Sequence, residues 1–191
     1  MVRLVAFAGS LRKDSWNKRL VRIAADGARA AGADVTVLDL ADFPMPLFDE
    51  DVEREHGAPA AAQAWKAALK AADGMLIASP EYNSSVSAAL KNAIDWASRP
   101  APGEPPLAAF AGKTAVLMAA SPGALGGLRG LVHLRSILGN IQMLVLPDQR
   151  ALPKAHDAFA ADGSLKDAKL ADEIRALGRR LTDVTRALAP T

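Results

Sequence analysis

The sequence predicts a doubly wound α/β domain, in which helices cover both faces of a parallel β-sheet. Three observations indicate this class. Short β-rich runs alternate with longer helical ones, and the central runs are almost continuously apolar. The 191 residues, 50% of them hydrophobic, suffice for one sizeable core and are too few for two ordinary domains. We therefore expect a single domain over residues 1–191.

Five runs have the composition of β-strands: residues 3–8, 34–40, 74–79, 114–120 and 142–146. The first, third and fourth are nearly continuous apolar runs, as expected of buried central strands. The second carries Thr36 and Asp39 among valines and leucines, which is typical of an edge. Right-handed crossovers permit several strand orders, and 2-1-3-4-5 is a common one at this size.

Five helices are predicted around these strands, at residues 17–31, 59–72, 85–98, 127–138 and 166–188. In the first, Trp16, Leu20 and Ile23 fall on one apolar stripe. Pro59 suits a first helical turn, where a missing N–H costs nothing. Residues 100–106 contain four prolines and a glycine, which predicts an exposed loop.

Composition excludes several kinds of chemistry. The chain has no cysteine, which excludes disulfides, a thiolate nucleophile and iron–sulfur clusters, so redox chemistry requires a bound organic cofactor. His56, His133 and His156 are far apart and lack suitably spaced carboxylates, so no metal site is indicated. The net charge of +2 is spread along the chain, which argues against nucleic acid as a partner.

The first residues of the chain form an apolar run that is too short to span a bilayer and is not followed by a cleavage pattern. We interpret this run as a strand. We therefore expect a cytoplasmic protein without a membrane partner.

The loop after the first predicted strand, GSLRKDSWNK, leads directly into a helix. Helix N-termini present free N–H groups and a positive partial charge, and this loop adds hydroxyls, an amide, a guanidinium and lysines. The loop matches neither G-x-G-x-x-G nor the P-loop pattern, which favours a terminal monophosphate as ligand. Alternatively, Ser15 only caps the helix while Arg12 and Lys13 are solvated.

The loop after the third predicted strand reads SPEYNSS. Pro80 fixes the backbone at the strand end, and Tyr82 and Asn83 project from the carboxyl edge of the sheet beside exposed N–H groups, an arrangement that suits a flat heteroaromatic ring. Alternatively, Asn83 or Ser84 is a helix N-cap and Tyr82 an ordinary surface residue.

The loop after the fourth predicted strand, SPGALGGLRG, contains four glycines. Glycines let the main chain approach a planar ligand closely because no Cβ intervenes, although they also serve as simple turn residues. All three unusual loops fall at the same edge of the predicted sheet, which favours a shared ligand site.

The segments GSLRKDSWNKRL, SPEYNSSVSAALKNAIDWASR and SPGALGGLRG resemble the NADPH-dependent FMN reductase family, which includes bacterial chromate and quinone reductases and some azo-dye reductases. The similarity covers most of the chain through the fifth strand. It implies a flavodoxin-like fold, a three-layer sandwich that binds FMN non-covalently, and assembly into a homodimer or homotetramer.

Carried over position by position, the resemblance also implies the residues of the site. The 5′-phosphate would contact Ser10, Arg12, Ser15 and Asn17, with Lys18 beside them. The residues that would border the isoalloxazine ring are Pro80, Glu81, Tyr82, Asn83, Ser84, Ser121, Gly123, Gly126 and Gly127.

The implied function is an NAD(P)H-dependent FMN oxidoreductase. The flavin takes hydride from NADPH or NADH and reduces a small acceptor, such as a quinone, a chromate-like oxyanion, an azo compound or free flavin. No side-chain acid or base is obligatory, and alternate use of one ring face predicts ping-pong kinetics. Two alternatives are a flavodoxin-type electron carrier reduced by a partner protein, a class that tends to be strongly acidic, and a phosphate-ligand binding module on the same fold.

Three further features bear on the site. Ser87 stands where this family often has proline, which affects the pose of the adjoining loop. The acidic run at residues 49–55 is expected in a loop, either as hydrated surface or as part of a substrate entrance or subunit contact. Trp96 belongs either to the core or, with Arg99, to a contact with a partner subunit.

Overall fold

A five-stranded parallel sheet organises the fold in the computed structural model, which describes residues 1–189. The strands are β1 (Arg3–Ala8), β2 (Asp34–Asp39), β3 (Gly74–Ala78), the short β4 (Glu81–Tyr82) and β5 (Ser85–Val86), β6 (Thr114–Ala120) and β7 (Leu144–Leu152). The sheet has the order β2-β1-β3-β6-β7, with β4 and β5 paired separately. Counted without these two short strands, this is the predicted 2-1-3-4-5 order, and the flavodoxin-like α/β class is confirmed.

Seven helices accompany the strands within the described residues. They are α1 (Trp16–Ala30), α2 (Glu50–His56), α3 (Ala60–Lys70), α4 (Ala88–Ser98), α5 (Leu128–Asn140), α6 (Ala155–Ala158) and α7 (Ala168–Leu188). Over residues 1–189, no helix combines the length and the apolar composition needed to cross a membrane.

Successive side chains of the buried strands point to opposite faces of the sheet, which divides the core into two layers. In β1, Leu4, Ala6 and Ala8 pack on the face covered by α1 and α7. Val5 and Phe7 point to the opposite face, which α3, α4 and α5 cover. Both faces of the central strands are therefore buried, which explains their nearly continuous apolar sequences.

The predicted fifth strand, residues 142–146, is too short. The observed strand β7 continues to Leu152, because a bulge accommodates Pro147, the residue at which the apolar pattern stops. The pairing passes from Ala115–Val145 to Leu117–Gln149, so one residue of β6 faces three of β7. A proline without an N–H is tolerated there because β7 is an edge strand and the bulge interrupts its ladder.

The helix predicted from residue 85 begins later, at Ala88. Ser85 and Val86 instead pair with Glu81 and Tyr82 in an antiparallel hairpin. The expectation of a loop at the acidic run is also wrong, since Glu50–His56 is a short helix capped by the Asp49 side chain. Acidic residues at its first turn favour this helix through the helix dipole.

Trp96 belongs to the core. Its side chain is 1% exposed, its indole N–H donates to the Pro46 carbonyl oxygen at 2.8 Å, and its ring meets Phe48 edge-on at a centroid distance of 5.0 Å. Arg99 bonds the Glu53 carboxylate at 2.8 Å within the same chain. These contacts anchor α2 and the segment before it to α4.

Candidate functional site

Three segments meet at the carboxyl edge of the sheet. We call them the β1 loop (residues 9–15), the β3 hairpin (residues 81–86) and the β6 loop (residues 121–127). They follow β1, β3 and β6, which are adjacent in the sheet and parallel, so their carboxyl ends lie side by side. This is the place where doubly wound folds bind ligands.

In the first turn of α1, no capping side chain and no acidic residue of the turn accepts hydrogen bonds from the backbone N–H groups. Ser15 occupies the N-cap position with extended backbone angles, yet its side chain makes no capping hydrogen bond. The first turn contains no acidic residue. The expectation that Ser15 merely caps the helix is therefore not met, and the turn is suited to an exogenous anion.

Two hydroxyls line this turn from the β1 loop. Ser10 and Ser15 are each 4% exposed, and Ser10 Oγ accepts a hydrogen bond of 3.3 Å from the Arg12 N–H. The Arg12 side chain is exposed, with its guanidinium 5.8 Å from the centroid of the Trp16 ring. The loop thus brings together hydroxyl, guanidinium and backbone donors, the groups that hold a phosphate.

The side chains of Asn17 and Lys18 are engaged within the protein. Asn17 Nδ2 donates to the Ala120 carbonyl oxygen and Asn17 Oδ1 accepts from the Ala120 N–H, each at 2.9 Å. Lys18 Nζ lies 2.7 Å from the Asp39 carboxylate at the end of β2. Burial acts to raise the pKa of Asp39, but the Lys18 and Ala41 hydrogen bonds outweigh it and leave that pKa below its ordinary value.

The β3 hairpin turns tightly through Asn83 and Ser84, with φ angles of 50° and 67°. Two consecutive positive φ values are typical of a type I′ turn, which suits a two-residue hairpin. Tyr82 is 52% exposed at this hairpin. Neither Asn83 nor Ser84 is the helix N-cap considered from the sequence.

Ser87 is the N-cap of α4. Its hydroxyl accepts from the Leu90 N–H at 3.1 Å and donates to the Gly9 carbonyl oxygen at 2.6 Å. It therefore joins the end of the β3 hairpin to the first residue of the β1 loop. The sequence shows Ser87 only as a departure from proline, although a serine just before an apolar helical stripe is compatible with a cap.

Glu81 anchors the hairpin to α5. Its carboxylate accepts from the Gly130 N–H at 3.0 Å and from the Arg129 guanidinium at 2.8 Å. Burial acts to raise the pKa of Glu81, but these hydrogen bonds outweigh it and hold that pKa below its ordinary value. The Glu81 carboxylate thus joins the hairpin to the helix after the β6 loop.

The glycines of the β6 loop differ in their surroundings. A Cβ on Gly126 would lie 2.6 Å from the backbone of Leu152 and Pro153, and one on Gly127 would lie 2.7 Å from Ala119 Cβ. Both have positive φ angles, 63° and 95°. Gly123 has open space, since a Cβ there would lie 3.6 Å from its nearest neighbour, Ser121 Oγ. Gly126 and Gly127 are therefore required by packing against β6 and β7.

An uncapped helix N-terminus, a tight hairpin and a glycine-containing loop thus meet at the carboxyl edge of a flavodoxin-like sheet, which is where this class of fold binds nucleotide ligands. The sequence pattern of the NADPH-dependent FMN reductase family matches residues 2–157. The chain belongs to this family. It is accordingly an oxidoreductase that uses FMN with NADPH or NADH as the reductant.

Similar proteins support this membership. An NAD(P)H-dependent FMN reductase of Pseudomonas aeruginosa is 38% identical over 181 residues, which cover 91% of this chain and 90% of the relative. A quinone reductase of Escherichia coli is 40% identical over 145 residues, covering 76% and 73%. The structure of FerB, a flavoenzyme NAD(P)H:(acceptor) oxidoreductase from Paracoccus denitrificans, has a TM-score of 0.81 at 29% identity and covers 98% of both chains.

Proposed function

We propose that this chain binds FMN between the β1 loop, the β3 hairpin and the β6 loop, and reduces small acceptors, with quinones foremost, using electrons from NADPH or NADH. The observation that carries the proposal is the first turn of α1, whose N–H groups meet neither a capping side chain nor an acidic residue. The N-termini of α3 and α5 also lack both groups, but their N-cap residues, Pro59 and Gly127, have no side-chain acceptor. In α1 the N-cap residue is Ser15, whose buried hydroxyl could cap the helix and does not. The preference for quinones rests on the acceptor named for the Escherichia coli relative.

The phosphate is assigned to the β1 loop and the first turn of α1. Ser10 and Ser15 supply buried hydroxyls, Arg12 supplies the positive charge, and the N–H groups of the turn, including that of Asn17, supply the helix-dipole contribution. Lys18 contributes at longer range because its ammonium group is bonded to Asp39.

The ring is assigned to the space bordered by the β3 hairpin and the β6 loop. Tyr82 and Asn83 are exposed at the hairpin, with Pro80 and Ser84 beside them, and Ser121 and Gly123 border the other side. Glu81, Gly126 and Gly127 hold these two segments in place rather than offering free polar groups.

When bound, FMN would supply the hydride and electron transfer between the nicotinamide and the acceptor. The protein would orient the reactants and stabilise negative charge with fixed backbone N–H dipoles near Asn83 and in the β6 loop beyond Ser121, whose own N–H donates to the Leu152 carbonyl oxygen. No side-chain acid or base is assigned. Alternate occupation of one ring face gives ping-pong kinetics, so double-reciprocal plots at several acceptor concentrations should be parallel.

An anaerobic titration tests this proposal. The purified protein loaded with FMN should show flavin absorbance that NADPH or NADH bleaches and that a quinone such as benzoquinone restores. A protein that retains no flavin absorbance once free FMN has been removed, or that binds FMN without being bleached by either nicotinamide, would contradict the proposal. The second outcome would favour the carrier alternative, and tighter binding of a non-flavin nucleotide would favour a binding module.

We also propose that the chain acts as one domain, as a homodimer or homotetramer, and in the cytoplasm. The continuous sheet with a core on each face supports the first point. Exposed apolar side chains at Leu125, Leu128 and Val132 support self-association. Dependence on reduced nicotinamide supports a cytoplasmic location. Light scattering after gel filtration and cell fractionation test the last two points.

A further inference from the structure

Asn17 makes two hydrogen bonds that connect distant parts of the chain. The side chain is 3% exposed and lies in the first turn of α1. Its amide nitrogen and oxygen pair with the C=O and N–H of Ala120, the last residue of β6, each at 2.9 Å. The pair spans 103 residues of sequence and joins the first turn of α1 to the residue that precedes the β6 loop.

The geometry of the sheet explains why Ala120 needs this partner. The register of β3 with β6 ends at the pair Ala78–Met118, and Ser79 N–H donates to the Met118 carbonyl oxygen. Beyond this point the chain turns at Pro80 into the β3 hairpin. Ala120 is in register with Leu152 of β7, but its own N–H and C=O face the β3 side, beyond the last residue of β3 that could pair with them. Ala120 is also buried.

A primary amide replaces a missing strand well. Its oxygen and one of its two N–H donors point to the same side, so one side chain satisfies both the N–H and the C=O of Ala120. An unpaired buried N–H and C=O would each be costly. The side-chain amide of Asn17 is thereby directed at β6.

We propose that Asn17 is a positioning residue for the bound flavin, which fixes the first turn of α1 relative to the β6 loop through its paired hydrogen bonds with Ala120. This inference rests on the proposed function. Ala120 immediately precedes the β6 loop, which borders the ring, so without the pair this loop is free to move away from the ring whether or not the ligand carries a phosphate. The resemblance places Asn17 among the phosphate contacts; here only its backbone N–H is assigned to the phosphate, while its side chain holds Ala120.

A comparison of FMN with riboflavin separates these roles, because riboflavin has the same ring without the phosphate. Dissociation constants for both flavins are measured by fluorescence quenching for the wild type, Asn17→Ala and Arg12→Ala. We expect Asn17→Ala to weaken both flavins by a similar factor of about ten, with their ratio preserved to within about twofold. Arg12→Ala should weaken FMN alone.

The visible spectrum supplies a second readout. At saturating FMN, Asn17→Ala should shift the absorption maxima of the bound ring, because the β6 loop moves relative to it, whereas Arg12→Ala should leave them unchanged. If Asn17→Ala does not fold, the same measurements are made on Asn17→Ser, which keeps a small polar side chain at the helix start.

Two results would overturn the inference. Weakening of FMN alone by Asn17→Ala would make the side chain a direct phosphate contact. Unchanged affinities and an unchanged spectrum, with only a lower melting temperature, would reduce the pair to general stability. Failure of the wild type to bind either flavin would instead contradict the proposed function itself, and so the two failures are distinguishable.

Discussion

The β1 loop and the β6 loop border the same site, but different factors explain their unusual residues. In the β6 loop, Gly126 and Gly127 lie so close to Leu152, Pro153 and Ala119 that the protein's own packing accounts for them. In the β1 loop, no such internal reason explains why Ser15 leaves the first turn of α1 uncapped. An unusual residue is therefore informative about a ligand only where internal packing leaves it unexplained.

The largest effect expected from this contrast is on stability. Gly126→Ala and Gly127→Ala should each lower the free energy of unfolding by about 2–4 kcal/mol, because a Cβ meets packed atoms at a positive φ. Gly123→Ala is the matched control and should change it by less than about 0.5 kcal/mol. Urea denaturation measures all three. Equal losses of unfolding free energy at positions 123 and 126 would contradict the conclusion that packing requires Gly126 but not Gly123.

A substitution in the β1 loop should change the affinity for FMN rather than the stability of the protein. Arg12→Ala removes a charge-assisted contact and should weaken FMN binding by about 1.5–3 kcal/mol. The melting temperature of the protein without flavin should be unchanged, because Arg12 is exposed. Calorimetric titration with FMN measures the loss. An unaltered affinity would mean that the phosphate binds elsewhere.

By comparison, the identity of the central strands was predictable from sequence, because β1, β3 and β6 are buried on both faces and so are apolar throughout. Their order was predictable only as a common arrangement among several. The β3 hairpin could not be predicted from the sequence, because strands of two residues show no periodicity. Asn17 could be placed at the site from its motif, but its pairing with Ala120 depends on where β3 ends in space. The reason for each glycine likewise lies in neighbours distant in sequence.

The pH dependence of stability tests whether the Glu81 carboxylate holds the β3 hairpin against α5. The pKa of Glu81 is lowered on folding, so its contribution is present above the ordinary value of 4.5 and is lost as the pH falls through the lower folded pKa. Glu81→Gln should cost about 1.5 kcal/mol at pH 7, and the difference should vanish in strong acid. Urea denaturation from pH 7 to pH 3 measures it. A pH-independent difference would contradict the assigned ion pair.

Ser87 should show the smallest effect. Ser87→Ala removes both the α4 cap and the bond to Gly9, and should cost about 1 kcal/mol. Ser87→Pro also loses these bonds, but the native φ of −67° suits proline, and the restricted unfolded chain offsets about half of the loss. Thermal unfolding compares the two variants. A proline variant less stable than the alanine variant would contradict this account of the family difference.

A crystal structure of the FMN complex tests the central claim most directly. We expect the phosphate oxygens to lie within about 3 Å of N–H groups in the first turn of α1, with the ring between the β3 hairpin and the β6 loop. A phosphate bound away from α1, or a ring that contacts only one of these segments, would contradict it.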